Sequence, residues 1–253
     1  LGADIDMLKR TVIKLSGEAI GCKNSPSGYN DIIISDILGQ IKAVMASGTQ
    51  VALVVGGGNL WRGRSANAEM DRVKADQMGM LATVMNALYL ADACRRAGMK
   101  AQVVTPIPIG TMTQLYEKEH VLAQMAAQTV IINAAGLGHP YFSTDTITAL
   151  RAAELEADCV LYAKSIDGVY DSDPAKNPGA LKYKYLSYRT AITQSLNAAD
   201  MAAMHLSAEA NIPSFVFNLN APGAITLACN YPDTQELKGT YVSNDRTKMD
   251  LFW

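Results

Sequence analysis

Apolar residues fall in short unbroken runs separated by longer stretches with helical spacing. Residues 11–15 (TVIKL) and 51–55 (VALVV) read as strands, the second apolar throughout, as expected when both faces are covered. Between them, Ile34, Ile37, Leu38, Ile41, Val44 and Met45 recur at helical spacing over residues 31–47, a helix that Gly48 ends. Residues 75–97 repeat the pattern through Met80, Leu81, Val84, Met85, Leu88 and Ala91, with Gly98 as the stop. The alternation continues with strands at 101–105, 129–134, 159–163 and 214–218, helices at 113–127, 145–156 and 198–211, and a last strand at 239–243. Such alternation predicts an α/β fold with a mainly parallel sheet and helices on both sides. No repeat or composition break marks a linker, so residues 7–253 are expected to form one domain.

Composition narrows the function classes. Of 253 residues, 49% are hydrophobic and 18% charged, as in an ordinary globular protein. A net charge of −2 provides no bulk attraction to nucleic acid or an anionic membrane, so anion binding must come from local arrangement. Cys22, Cys94, Cys159 and Cys229 are widely spaced, which predicts reduced thiols and a cytoplasmic location. His120, His139 and His205 lack metal-site spacing. No apolar run reaches the ~18 residues of a membrane span. Residues 1–6 are short and acidic, unlike a signal peptide, and Met7 would make a natural start, so 1–6 are expected to be an expression remnant.

Candidate chemistry gathers where predicted strands end, the edge at which parallel sheets bind ligands. The stretch VALVVGGGNLWRG over 51–63 runs a strand into three glycines and Arg62, the pattern of a backbone cradle for phosphate closed by a forked cation. The alternative is a tight turn without a ligand. Lys14, Ser16 and Gly17 follow the first strand; Lys14 either snorkels or places a point charge on a transferring phosphoryl group. Gly138, His139, Thr144 and Asp145 follow the strand at 129–134, in a turn that can cap a helix and bind an anion at once. Lys164, Asp167 and Asp173 follow the strand at 159–163. No GxxxxGK[ST], strand-borne GxGxxG or GxSxG motif occurs, which argues against P-loop, dinucleotide and hydrolase readings.

The order of these motifs resembles the amino-acid kinase family, and within it the uridylate (UMP) kinase group. The resemblance rests on KLSGEA (14–19), VGGGNLWRG (55–63), ADQMGMLAT (75–83), PYFSTDT (140–146), IDGVYDSDP (166–174), VFN (216–218) and PG (222–223), and spans Arg10 to Val242. DxMGMLAT is its specific part. The resemblance implies a three-layer α/β/α sandwich with a mainly parallel eight-stranded sheet. It implies phosphoryl transfer from ATP to UMP with Mg²⁺, and a homohexamer built from dimers through the 75–97 helix, with GTP as activator and UTP as inhibitor. The acceptor half would be roughly 7–150 and the ATP half roughly 151–253.

Carried over by motif, Lys14, Ser16 and Gly17 match the ATP-phosphate turn, and Gly58 and Arg62 flank the transferred group. Asp145 matches the aspartate that organises catalytic lysines. Lys164, Tyr170 and Asp173 match ATP positions, with Tyr170 near the adenine. Gly57, Gly138, Tyr141, Phe142 and Thr144 match acceptor contacts, and Asp76 the carboxylate on the ribose. Two positions of the acceptor turn depart from the family: in AGLGHP (135–140), Leu137 replaces a hydroxyl and His139 an amide. Losing one neutral hydrogen bond costs roughly 0.5–1.5 kcal/mol, a weakening of acceptor binding. A nucleotide-binding protein without turnover, or another small-molecule kinase of the fold, is the alternative.

Overall fold

The computed structural model describes residues 7–61, 69–230, 237–245 and 250–253. Arg62 and Gly63, part of the phosphate-cradle expectation, lie outside the described residues. One sheet organises the chain. Its first half supplies β1 (Arg10–Leu15), β2 (Gln50–Val55), β3 (Lys100–Thr105), β4 (Gln114–Leu115) and β5 (Thr129–Asn133). Its second half supplies β6 (Cys159–Lys164), β7 (Tyr183–Ser187), β8 (Ser214–Asn218), β9 (Thr240–Ser243) and β10 (Leu251–Phe252). The order is β10-β7-β9-β8-β6-β1-β2-β5-β3-β4, parallel except for the β8–β9 and β10–β7 pairs. Strands β1–β5 therefore fill one flank and β6–β10 the other. They meet at β1 and β6, a switch point whose carboxyl edge is the favoured ligand crevice.

Side chains alternate across this sheet and build two cores. Ile13, Leu15, Leu53 and Val55 face one cluster with α2 (Asp31–Ala46), α3 (Arg72–Arg96) and α8 (Ala224–Asn230). Val12, Ala52 and Val54 face the other, with α4 (Lys118–Ala126), α5 (Thr144–Glu154), α6 (Tyr188–Thr193) and α7 (Met201–Glu209). The result is three layers, as the alternation predicted. Among the described residues the sheet has ten strands rather than eight; two of them, β4 and β10, are two-residue strands at its outer edges.

Local capping explains where elements depart from periodicity. The helix expected over 113–127 begins only at Lys118, because Glu117 accepts the Glu119 and His120 N–H groups at 3.0 and 2.6 Å while the residues before it extend as β4. Asp200 accepts from Ala203 N at 2.7 Å and starts α7 at Met201, later than the expected 198. On α3, Leu81 and Met85 do not join the core stripe; they are 54% and 58% exposed, while Ala82, Val84, Ala87, Leu90 and Ala91 are buried. The four cysteines are free, three of them buried. No helix among the described residues is long and apolar enough to cross a membrane.

Candidate active site

The loops leaving β1 and β2 pack backbone against backbone. Gly56 N donates to Leu15 O at 2.9 Å, extending the ladder past both strands, and β1 continues into the one-turn α1 (Gly17–Ile20). A Cβ on Gly17 would lie 2.5 Å from Gly56 O, and one on Gly58 would lie 2.5 Å from Glu18 Oε1. A Cβ on Gly57 would meet Gly79 O and Ala82 Cβ on α3 at 2.9 Å. The glycines thus let two loops and a helix close on one another. The sequence suggested a cradle open to an anion; here their missing Cβ atoms are used first for close packing, and Gly57 also lines a cavity.

That first cavity, of about 160 Å³, lies between α3 and the turn 134–143. Gly57, Asp76, His139, Phe142 and Thr144 line it, together with Trp61, which the sequence reading did not single out. Trp61 Nε1 donates to Ala75 O at 2.8 Å and closes one wall against α3. The specific motif on α3 holds the turn at both ends. Thr83 Oγ1 accepts from Ala135 N at 2.8 Å, and Asp76 Oδ2 accepts from Tyr141 N at 2.9 Å. Asp76 Oδ2 also pairs with Arg72 at 2.8 Å, and the Arg72 guanidinium lies 5.1 Å from the Tyr141 ring centre.

Ala135, Gly136, Gly138 and Tyr141 all have positive φ, a conformation that the two glycines accept and that Ala135 and Tyr141 resist. Gly138 needs its glycine twice: φ is +81°, and a Cβ would lie 3.0 Å from Ile107 Cγ2. Leu137 packs on the second apolar core, so the departure from the family's hydroxyl does not place an isobutyl group among the lining residues. Tyr141 is 66% exposed and, like Gly138, is not among those residues.

Next to this cavity is a cluster of charges. Lys14 Nζ lies 3.2 Å from Asp145 Oδ1, both side chains largely buried. The contact has ion-pair range without hydrogen-bond alignment, so Oδ1 keeps an unused acceptor. Ser143 caps α5 by accepting from Asp145 N at 2.9 Å, which aims the carboxylate from the helix start. Lys164 donates to Ala198 O at 2.7 Å and Asn197 O at 3.4 Å. Burial lowers its pKa below the ordinary lysine value; Asp145 and Asp200 oppose that shift and Lys14 reinforces it. Asp200, missed in the sequence, accepts from Thr146 Oγ1 at 2.8 Å and from Ser143 Oγ, and so ties the start of α5 to the start of α7. In the sequence it falls inside the helix expected over 198–211, so nothing local marked it as a cap.

A second cavity, of about 340 Å³, opens under the segment 166–174 and includes Tyr170, Asp173 and Asn197 among its lining. Tyr170 OH donates to Asp167 Oδ1 at 2.9 Å, and Lys182 pairs with Asp167 Oδ2 at 2.7 Å. Burial alone would raise the Asp167 pKa; the bonds from Lys182 and Tyr170 outweigh it and hold the carboxyl below its usual range. Asp173 turns the chain by accepting from Ala175 N at 3.0 Å. A larger shallow depression along α2, about 760 Å³, contains none of the predicted site residues.

Residues 9–218 match the model of the amino acid kinase family. Among solved structures, UMP kinase from Bacillus anthracis is 32% identical with a TM-score of 0.89, over 98% of this chain and 99% of that one. UMP kinase from Ureaplasma parvum is 37% identical with a TM-score of 0.85, over 93% and 98%. Uridylate kinase from Archaeoglobus fulgidus, 24% identical with a TM-score of 0.67 over 92% and 99%, shares the fold. With a family match over most of its length and a sheet built as described, this chain belongs to the amino acid kinase family.

Proposed function

We propose that this chain transfers the γ-phosphoryl group of ATP to UMP, giving ADP and UDP. The Lys14–Asp145 pair supports this most. Asp145 follows Thr144, which lines the first cavity, and Lys164 bonds the Asn197 carbonyl, whose residue lines the second. A cation–carboxylate centre between two cavities suits in-line transfer between two bound nucleotides, which depends on positioning and charge neutralisation.

In this reading UMP occupies the first cavity against Gly57, Asp76, His139, Phe142 and Thr144, and Gly138 and Tyr141 of the same turn reach it from outside that lining. Leu137 contributes backbone only. ATP lies across Lys14, Ser16, Gly17, Gly58, Arg62 and Lys164, with its base near Tyr170 and Asp173. Lys14 and Arg62 neutralise charge on the transferring oxygens, and Asp145 keeps the Lys14 ammonium aimed. The UMP phosphate is already ionised, so no general base is needed. Mg²⁺ would arrive on the ATP phosphates, keeping most of its waters and taking at most one or two carboxylates. The unused acceptor on Asp145 Oδ1 fits that role. The cation supplies charge neutralisation on the phosphates.

The acceptor half would be roughly 7–150 and the ATP half roughly 151–253. We place the reaction in cytoplasmic pyrimidine nucleotide synthesis by a homohexamer. Exposed Met78, Leu81 and Met85 on one face of α3 support self-association there. A coupled assay with ATP and Mg²⁺ across UMP, CMP, dUMP and AMP tests the reading, with GTP and UTP as added arms and light scattering for the assembly. UDP formation at rates well above the other acceptors is expected. Nucleotide binding without turnover, or turnover only of a non-nucleotide acid, overturns it.

A further inference from the structure

Beneath the glycine turn lies a buried amide that the mechanism above does not use. Asn86 sits on α3 with no exposed surface. Its Nδ2 donates to Gly56 O and to Asn59 Oδ1, both at 2.7 Å. Its Oδ1 accepts from Tyr29 OH at 2.9 Å and from Asn59 Nδ2 at 3.2 Å. A carbonyl such as Gly56 O can only accept, which fixes the orientation of the amide. All four bonding positions of Asn86 are used.

The partners belong to segments distant in sequence. Gly56 and Asn59 bracket Gly57 and Gly58. Tyr29 closes the 21–30 loop, its ring stacked on Tyr89 with centroids 3.8 Å apart. Tyr89 OH in turn donates to Asp31 Oδ1 at 2.5 Å, at the start of α2. Asn59 itself fills the space against Gly21, where a Cβ would lie 2.6 Å from Asn59 Cβ. A leucine at position 86 would fill similar volume without desolvating an amide. What the amide adds is a fixed place for the turn.

We infer that Asn86 is a positioning residue for phosphoryl transfer: it holds the 56–59 turn against β1 and α3 in one geometry and links that turn, through Tyr29, to the 21–30 loop. The inference rests on the proposed function. Asn86→Asp keeps the shape and both acceptors but loses both donors. The chain has two tryptophans, so a Trp253→Phe background leaves Trp61, whose backbone N–H donates to Gly57 O at 2.9 Å, as the reporter of the turn.

In that background, Asn86→Asp should lower kcat by about tenfold or more while the KM for each nucleotide stays within about threefold, since small misplacements act on the chemical step. Trp61 emission should shift to the red. A lower unfolding midpoint with unchanged kcat per folded molecule and unchanged emission overturns the inference. If Asn86→Asp does not fold, Tyr29→Phe removes one of the four bonds: a kcat loss of about two- to threefold with an emission shift in the same direction supports the inference, and neither change defeats it. Should the unmodified chain ignore UMP, the functional reading fails separately, and the emission shift still decides whether Asn86 sets the turn.

Discussion

The walls of the two cavities are held by different physics. On the acceptor side, the turn 134–143 is pinned at its start by two buried bonds, Ala134 N to Val104 O at 3.0 Å and Ala135 N to Thr83 Oγ1, and at its end by an exposed one, Tyr141 N to Asp76 Oδ2. Those ties keep Ala135 and Tyr141 at φ of 60° and 73°, where each non-glycine residue costs about 1–3 kcal/mol. On the other side, the segment 166–174 depends on Asp167, whose side chain is 43% exposed although its bonds to Tyr170 and the largely buried Lys182 are partly shielded. The acceptor wall is therefore anchored from the core and held against backbone strain, whereas the donor wall rests on one carboxylate that water reaches. On the proposed function, that asymmetry would put selectivity in the acceptor and tolerance in the donor.

In the proposed reading the centre between the walls serves both, so removing it should erase the contrast. Lys14→Ala should cut kcat by about 10²–10³, the range for losing a preorganised charge partner at a transition state. Both KM values should move little, and the thermal unfolding midpoint should stay near that of the unmodified chain. A folded Lys14→Ala protein with normal turnover would remove Lys14 from the reaction.

Asp76→Ala strikes the acceptor wall alone. It deletes the acceptor for Tyr141 N and the partner of Arg72. A hydrogen bond to a charged group is worth about 1.5–3 kcal/mol, so the KM for UMP should rise by about 10- to 100-fold. The KM for ATP should stay put in steady-state kinetics; if it alone moved, the two cavities would be exchanged.

The strain argument can be sharpened with paired glycines of the same turn. Gly136 and Gly138 both have positive φ, but an added Cβ meets nothing within 4 Å at Gly136 and Ile107 Cγ2 at 3.0 Å at Gly138. Gly136→Ala should cost about 1 kcal/mol from backbone conformation. Gly138→Ala adds a contact that must relax and should cost about 2–3 kcal/mol. Urea unfolding measures both, and equal losses would mean that Ile107 and Pro106 yield freely.

The same contrast governs what could be read from the chain. The acceptor flank uses uninterrupted apolar strands and amphipathic helices, and its motifs lie next to strand ends. Its strands other than β4 and the place of Thr144 and Asp145 after a strand were therefore legible, while Asp76, on α3, came only from the resemblance. Position in the turn did not reveal that Leu137 faces the core or that Asp76 also braces Tyr141, because both depend on a tertiary neighbour. The flank after β6 was harder. Strand β7 (YKYLS) alternates aromatic and polar residues without a clean period, and β10 is two residues whose partner lies more than sixty positions away. Asn86 and Asp200 had no local signal, since a buried amide and a cap that reaches a second helix are defined only by what folds onto them.

The smallest effect should come from the donor wall. Lys182 Nζ is 2.7 Å from Asp167 Oδ2, but Asp167 is more than a third exposed, so solvent screening limits the pair to about 0–1 kcal/mol. Lys182→Ala should raise the KM for ATP by about two- to fivefold, leave the KM for UMP unchanged, and lose most of its effect in high salt. Without Lys182, the Asp167 carboxyl should titrate nearer its ordinary 3.8. A carboxyl with a lowered folded-state pKa contributes stability above its unfolded value and loses it as pH falls through the folded one. The variant should therefore differ from the unmodified chain near neutral pH and converge with it in acid. A loss in UMP affinity as large as that in ATP affinity would mean that the two walls are mechanically one, and that the acceptor turn depends on the far flank of the sheet as well as on α3.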